Sequence, residues 1–162
     1  MVEKIFHSKC TIYCLKISNS GGRDWKIPAL YMRKPKVLFV SEASYLASGY
    51  AVYANEVLSR LYKSNKVDIV EFATFGDENN VDSLPIKWEF VGNLPNQNNP
   101  REVKKYDSNM LNKFGQWKFE EVCLKYKPDI VFDYKDWWYM EYQSRIFNSH
   151  KSPAWKVVGG IR

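Results

Sequence analysis

Apolar positions alternate along this chain between short runs and helical stripes. Val37 to Val40 is an uninterrupted apolar run of β-branched and aromatic residues, as a strand covered on both faces requires. Ala54, Val57, Leu58 and Leu61 then recur at i, i+3, i+4 and i+7, which gathers them on one stripe of a helix able to lie on that strand. Lys63-Ser-Asn-Lys66 stops that helix, and Val67 to Phe75 reads as a second strand from its Val and Ile content. Gly76 to Asn80 forms a turn. A third strand is expected over Ile86 to Val91, where Ile86, Trp88 and Phe90 alternate with Lys87 and Glu89 and leave one face polar. Gly92 to Asp107, rich in Asn, Pro and Gln, reads as a long surface loop.

Helix signals resume at Ser108 or Asn109. Phe119, Val122, Cys123 and Tyr126 repeat at helical spacing, Phe114 and Trp117 broaden the same helix, and Lys127-Pro128 ends it. Asp129 to Phe132 is another apolar strand, Asp133 to Trp138 the loop at its carboxyl end, and Tyr139 to Phe147 a short helix. Trp155 to Val158 is a candidate final strand. Two strand-loop-helix units therefore predict an α/β, Rossmann-like domain over residues 36–162, with a mostly parallel sheet flanked by helices. Their loops, Ser41 to Tyr50 and Asp133 to Trp138, are expected at one sheet edge, facing one ligand. Residues 1–35 read as an N-terminal extension: a strand within Cys10 to Ile17, a turn at Ser18 to Gly22, and packing as an edge strand or loop.

Composition narrows the function classes. The 162 residues suit one well-buried core, and 45% hydrophobic with 26% charged residues excludes wholesale disorder. Net charge is +6, which favours an anionic partner, yet Lys and Arg are scattered apart from Arg33, Lys34 and Lys36. No nucleic-acid-binding signature is present. Cys10, Cys14 and Cys123 form no disulfide framework and read as free thiols in a reducing compartment. With only His7 and His150 beside them, no metal site is assembled. With no 18-residue apolar stretch and no recognisable leader, the expectation is a cytoplasmic chain without a transmembrane segment. A dehydrogenase-type nucleotide site ranks last, because no Gly-x-Gly-x-x-Gly follows the first strand.

Lys36-Val-Leu-Phe-Val40, the loop ending Ser48-Gly49-Tyr50, the helix with Glu56-Val-Leu-Ser-Arg-Leu61 and the later Lys127-Pro-Asp-Ile-Val131 carry a resemblance. Over residues 36–147 the chain resembles the N-terminal Rossmann-like half of a GT-B glycosyltransferase, of the retaining group 1 or family 4 kind. The resemblance implies the acceptor-side half of an enzyme that moves a sugar from a nucleotide-sugar donor to an acceptor hydroxyl. No cofactor or metal is implied. The donor-binding half, with its paired-glutamate motif, has no room after Trp138, so the expectation is a truncated copy, inactive alone, or one completed by a separate donor-binding domain or chain.

Within that resemblance, Ser48, Gly49 and Tyr50 match the family's glycine loop, with one Gly where many members have two. Where the family often has a His, this chain has Phe132-Asp-Tyr-Lys-Asp136. Asp136 or Asp133 is the candidate for orienting an acceptor hydroxyl, Lys135 for meeting a phosphate as a point charge, and Trp137 or Trp138 for stacking on a sugar. Glu42 is placed to reach into the crevice. Each residue also has a plain structural role open to it. Gly49 suits a tight helix entry, Asp133 and Asp136 suit turns or caps, the Trp pair suits closing the core, and Glu42 suits solvent. Glu120 and Glu121 belong to a wet helix face. The alternative function is a non-catalytic module recognising a glycan or a protein through its Trp and Tyr rim.

Overall fold

The computed structural model describes residues 4–7, 10–14, 33–79 and 84–149, with side chains from 33 to 79 and from 84 to 146. Its strands are β1 (Lys4–His7), β2 (Cys10–Cys14), β3 (Lys36–Glu42), β4 (Asp68–Thr74), β5 (Glu89–Gly92) and β6 (Ile130–Asp133). Its helices are α1 (Gly49–Ser64), α2 (Pro100–Asp107), α3 (Met110–Lys113), α4 (Gln116–Tyr126) and α5 (Glu141–Ser149), with a 3-10 turn at Trp137–Tyr139. The sheet order is β1-β2-β6-β3-β4-β5. β6, β3, β4 and β5 run parallel, while β1 and β2 form an antiparallel hairpin that joins through β6. This is the mostly parallel, Rossmann-like α/β architecture expected, with the N-terminal extension supplying two strands at one edge. From β3 the chain steps outward to β4 and β5, then returns to place β6 on the other side of β3. The order therefore reverses between β3 and β6, where a crevice opens at the carboxyl ends.

Strand alternation divides the core into two layers. Leu38, Val40, Val70, Phe72 and Val131 face Phe119, Val122 and Cys123 of α4 and Tyr142 of α5. Phe39 and Ile69 face Ala54 and Leu58 of α1, with Val57, Leu61 and Phe132 partly buried around them. Burial of large apolar side chains on both faces supplies most of the driving force, at roughly 25 cal/mol per Å² removed from water. Both expected helical stripes point inward, and Glu120 and Glu121 lie on the exposed face of α4.

The helix boundaries follow capping chemistry. Ser48 accepts from the Ala51 N–H at 3.1 Å and so caps α1. Asn65, with φ 53°, closes it in the left-handed conformation that Asn tolerates. Lys127 ends α4 in the same way, at φ 47°, and its N–H reaches the Cys123 carbonyl at 2.9 Å. The pre-proline residue thus leaves the right-handed helical region, as Pro128 demands.

Three expectations need correction. The segment 92–107 is not one loop: Asn99 caps α2 by accepting from the Arg101 N–H, with Pro100 at the first helical position. The third strand is shorter, Glu89–Gly92 rather than 86–91. Phe114 is not on α4, because Gly115 sits at φ 106°, a left-handed break between α3 and α4. A Cβ on Gly115 would also stand 2.8 Å from the Phe72 ring, so both the dihedral and the space call for glycine. The turn at 18–22 and the strand at 155–158 lie outside the described residues. The side chains of Cys10 and Cys14 do so as well.

Candidate functional site at the topological switch point

β3 and β6 are paired in register from Val37 with Ile130 to Val40 with Asp133, so both chains leave the sheet at the same edge. The loop after β3 is held from below by Glu71 on β4. This carboxylate is fully buried and accepts from the Ser44 N–H at 2.7 Å, the Ser44 hydroxyl at 2.9 Å and the Trp88 indole at 2.6 Å. Burial pushes its carboxyl above the ordinary range, against those three hydrogen bonds.

Across the crevice the two loops meet directly. The Tyr50 hydroxyl, in the first turn of α1, donates to Asp136 Oδ1 at 2.8 Å. That hydrogen bond is the main reason the Tyr50 phenol is pushed up to about 12, with burial adding to it. Tyr50 therefore remains a hydroxyl donor at every ordinary pH. Glu42, at the end of β3, accepts from the Ser48 hydroxyl. A cavity of about 270 Å³ lies between the loops, lined by Glu42, Tyr50, Phe75, Phe114, Lys135, Asp136 and their neighbours Thr74 and Tyr139.

Two of the singled-out residues are more deeply set than the rest. Asp133 is fully buried and Lys135 nearly so. Lys135 Nζ donates to the Phe114 carbonyl at 2.9 Å and lies 3.5 Å from both Asp133 Oδ2 and the Tyr142 hydroxyl. Gln143 Nε2 also donates to Asp133 Oδ2. Burial pushes Asp133 up to about 6, with the Lys135 charge and the Gln143 hydrogen bond opposing it. Burial likewise lowers Lys135, with the Asp133 charge opposing. Lys135 touches the cavity, whereas Asp133 sits behind it and anchors Lys135. Its place is therefore neither a turn nor a cap.

The crevice thus brings together Glu42, Ser48, Tyr50, Lys135 and Asp136. Asp136 precedes the 3-10 turn, with no capping bond from its side chain. Gly49 opens α1, and a Cβ there would meet nothing within 4 Å, so no close backbone approach requires glycine in this structure. Trp137 and Trp138 do not close the core: they are 69% and 48% exposed, beside the cavity rather than beneath it. Among the described residues, no group of three or more His, Cys, Asp or Glu side chains is placed to hold a metal ion. No helix among them is long and apolar enough to cross a membrane.

Sequence reasoning missed Phe75, Phe114 and Tyr139 as lining residues. Phe75 holds φ 61°, a left-handed conformation that costs a bulky residue of order 1–3 kcal/mol and tends to cluster at functional sites. Its position at the end of the second strand was a signal that could have found it, since ligands sit at strand ends. Comparison with protein-family models, curated proteins and solved structures finds no match to this chain.

Proposed function

We propose that this domain receives a carbohydrate in the crevice between β3 and β6, as the acceptor-side half of a glycosyltransferase. The observation that carries the reading is the Tyr50–Asp136 hydrogen bond, which joins the two loops over a small cavity edged by carboxylates and phenols. Such groups exchange hydrogen bonds with sugar hydroxyls. They do not make a phosphate cradle. The Ala51 N–H at the start of α1 is already taken by Ser48, and the Glu42 carboxylate stands beside it. Asp136 is the candidate to orient an acceptor hydroxyl, and Glu42 the second carboxylate within the cavity. Asp133 acts through Lys135 and is a positioning residue. Transfer also requires a unit that holds the nucleotide-sugar.

The second reading is a binding module without turnover. The burial of Asp133 favours it, because the carboxylates lining the cavity are then Glu42 and Asp136, each already accepting a hydroxyl from its own chain. Calorimetric titration of the chain with simple saccharides and with nucleotide-sugars tests the assignment. Saccharide binding that weakens in Asp136→Ala, with little or no nucleotide-sugar affinity, is the expected result. Tight nucleotide-sugar binding in this crevice would overturn it.

A further inference from the structure

The aromatic side chains at the crevice are not scattered. Phe75 meets Phe114 edge-on at 5.7 Å, Phe114 stacks on Tyr139 at 3.6 Å, Tyr139 meets Trp138 at 5.8 Å, and Trp138 meets Trp137 at 5.7 Å. Phe75, Phe114 and Tyr139 line the cavity, so this ribbon runs from its interior to a Trp that is 69% exposed. A second group, in which Tyr53 stacks on Tyr134 at 4.1 Å and Tyr134 meets Tyr50 edge-on at 5.3 Å, reaches the cavity at Tyr50. The Tyr50–Asp136 hydrogen bond joins the two groups, since Trp137 directly follows Asp136.

The dimensions set what can occupy this surface. The cavity of about 270 Å³ falls just under the range of small-molecule sites and has room for about one sugar ring. Trp137 and Trp138 lie beyond that volume. Their exposed rings contribute little to the core, and contiguous exposed apolar surface beside a cavity marks contact with a ligand or partner. Between a protein and a glycan, the polar groups decide. Two carboxylates with acceptor sites to spare and a phenolic oxygen that, with its O–H engaged by Asp136, can still accept suit a ligand dense in hydroxyl donors, and stiff aromatic faces complete such a surface at low entropic cost.

Resting on the carbohydrate reading above, we infer that the crevice takes the end of an oligosaccharide rather than a lone monosaccharide. The terminal ring sits among Glu42, Tyr50 and Asp136, and the next unit lies across Trp137 and Trp138. The aromatic pair is thus a second subsite that reads chain length.

The test is a panel of defined saccharides, from one to six units in the gluco, galacto, manno and N-acetylhexosamine series, titrated against the wild-type chain, Trp137→Ala, Trp138→Ala and Asp136→Ala. In the binding series, affinity should rise about three- to tenfold from one unit to two or three, the gain expected of one aromatic stacking contact. Trp137→Ala and Trp138→Ala should each lower affinity for two or three units more than for one, while Asp136→Ala weakens every length. An unchanged melting temperature shows that Trp137→Ala remains folded, as its exposure implies. Affinity that does not grow with length, or a Trp137→Ala loss shared equally by short and long ligands, overturns the second subsite and leaves the carbohydrate reading standing. No binding by any member of the panel overturns both.

Discussion

The two ends of β4 open onto two different hollows. At its start, beside the end of α1, lies an open groove of about 780 Å³ bordered by Lys34, Lys63, Lys87, Tyr62 and Trp88. At its other end lies the crevice of about 270 Å³. The groove is larger and more basic, yet two of its three lysines serve the scaffold. Lys63 stands in the last turn of α1, where a cation complements the helix dipole, and Lys34 donates to the cap residue Asn65. In the crevice, polar groups from separate segments converge and are held in place by buried partners. Topological position and convergence, rather than volume, are the grounds for the candidate site.

The largest effect that would test this contrast comes from Lys135→Ala. Removing the ammonium leaves the buried Asp133 carboxylate without its ion pair, which should cost about 3 kcal/mol or more in urea unfolding. A loss under about 1 kcal/mol would show that the crevice is no more tightly built than the groove.

The next effect is pH-dependent. Burial raises Asp133 in the folded state from 3.8 to about 6 and raises Glu71 in the same direction. Between about pH 4 and pH 6 the folded chain therefore holds more of a proton at Asp133 than the unfolded chain. The contribution of Asp133 to stability falls as pH rises through that window. Melting curves across it should show Asp133→Asn gaining on the wild type by a few degrees as pH increases. A difference that stays constant would place Asp133 in contact with water.

Tyr50→Phe removes the hydroxyl that joins the two loops. It should lower stability by about 1 kcal/mol and weaken any crevice ligand more than the fold, read by paired unfolding and binding titrations. Smallest is the control pair Gly49→Ala and Lys87→Glu. The first enters open space, the second lies on the groove, and each should change unfolding free energy by no more than about 0.5 kcal/mol. Lys87→Glu should also leave saccharide binding unchanged. A loss there would make the groove part of the site.

Much of the fold was legible because the strands β3, β4 and β6 are apolar runs and the stripes of α1 and α4 are regular. Neighbours in sequence set those patterns. The crevice was legible only as two loops at strand ends, since the rule that places them needs strand order alone. Individual side chains were not. The depth of the Asp133–Lys135 pair depends on α5 folding back so that Gln143 meets Asp133 and Tyr142 meets Lys135, contacts between separate elements that no local pattern announces. Phe114 was hidden inside an apparent helix because the periodicity continues across Gly115, and only the left-handed backbone there turns it toward the cavity. Helix α2 was missed because its sequence is polar, with Tyr106 its one buried residue, so capping at Asn99 outweighed hydropathy.

The pairing of β1 with β2, and of β2 with β6, has a practical consequence. Without it β6 would be a border strand, its outer backbone groups open to any passing chain; with it, the strand that carries Asp133 lies inside a six-stranded sheet. That hairpin is thus part of the support beneath the crevice, and trimming it, or fusing a bulky tag onto it, reaches Asp133 by way of a single shared ladder.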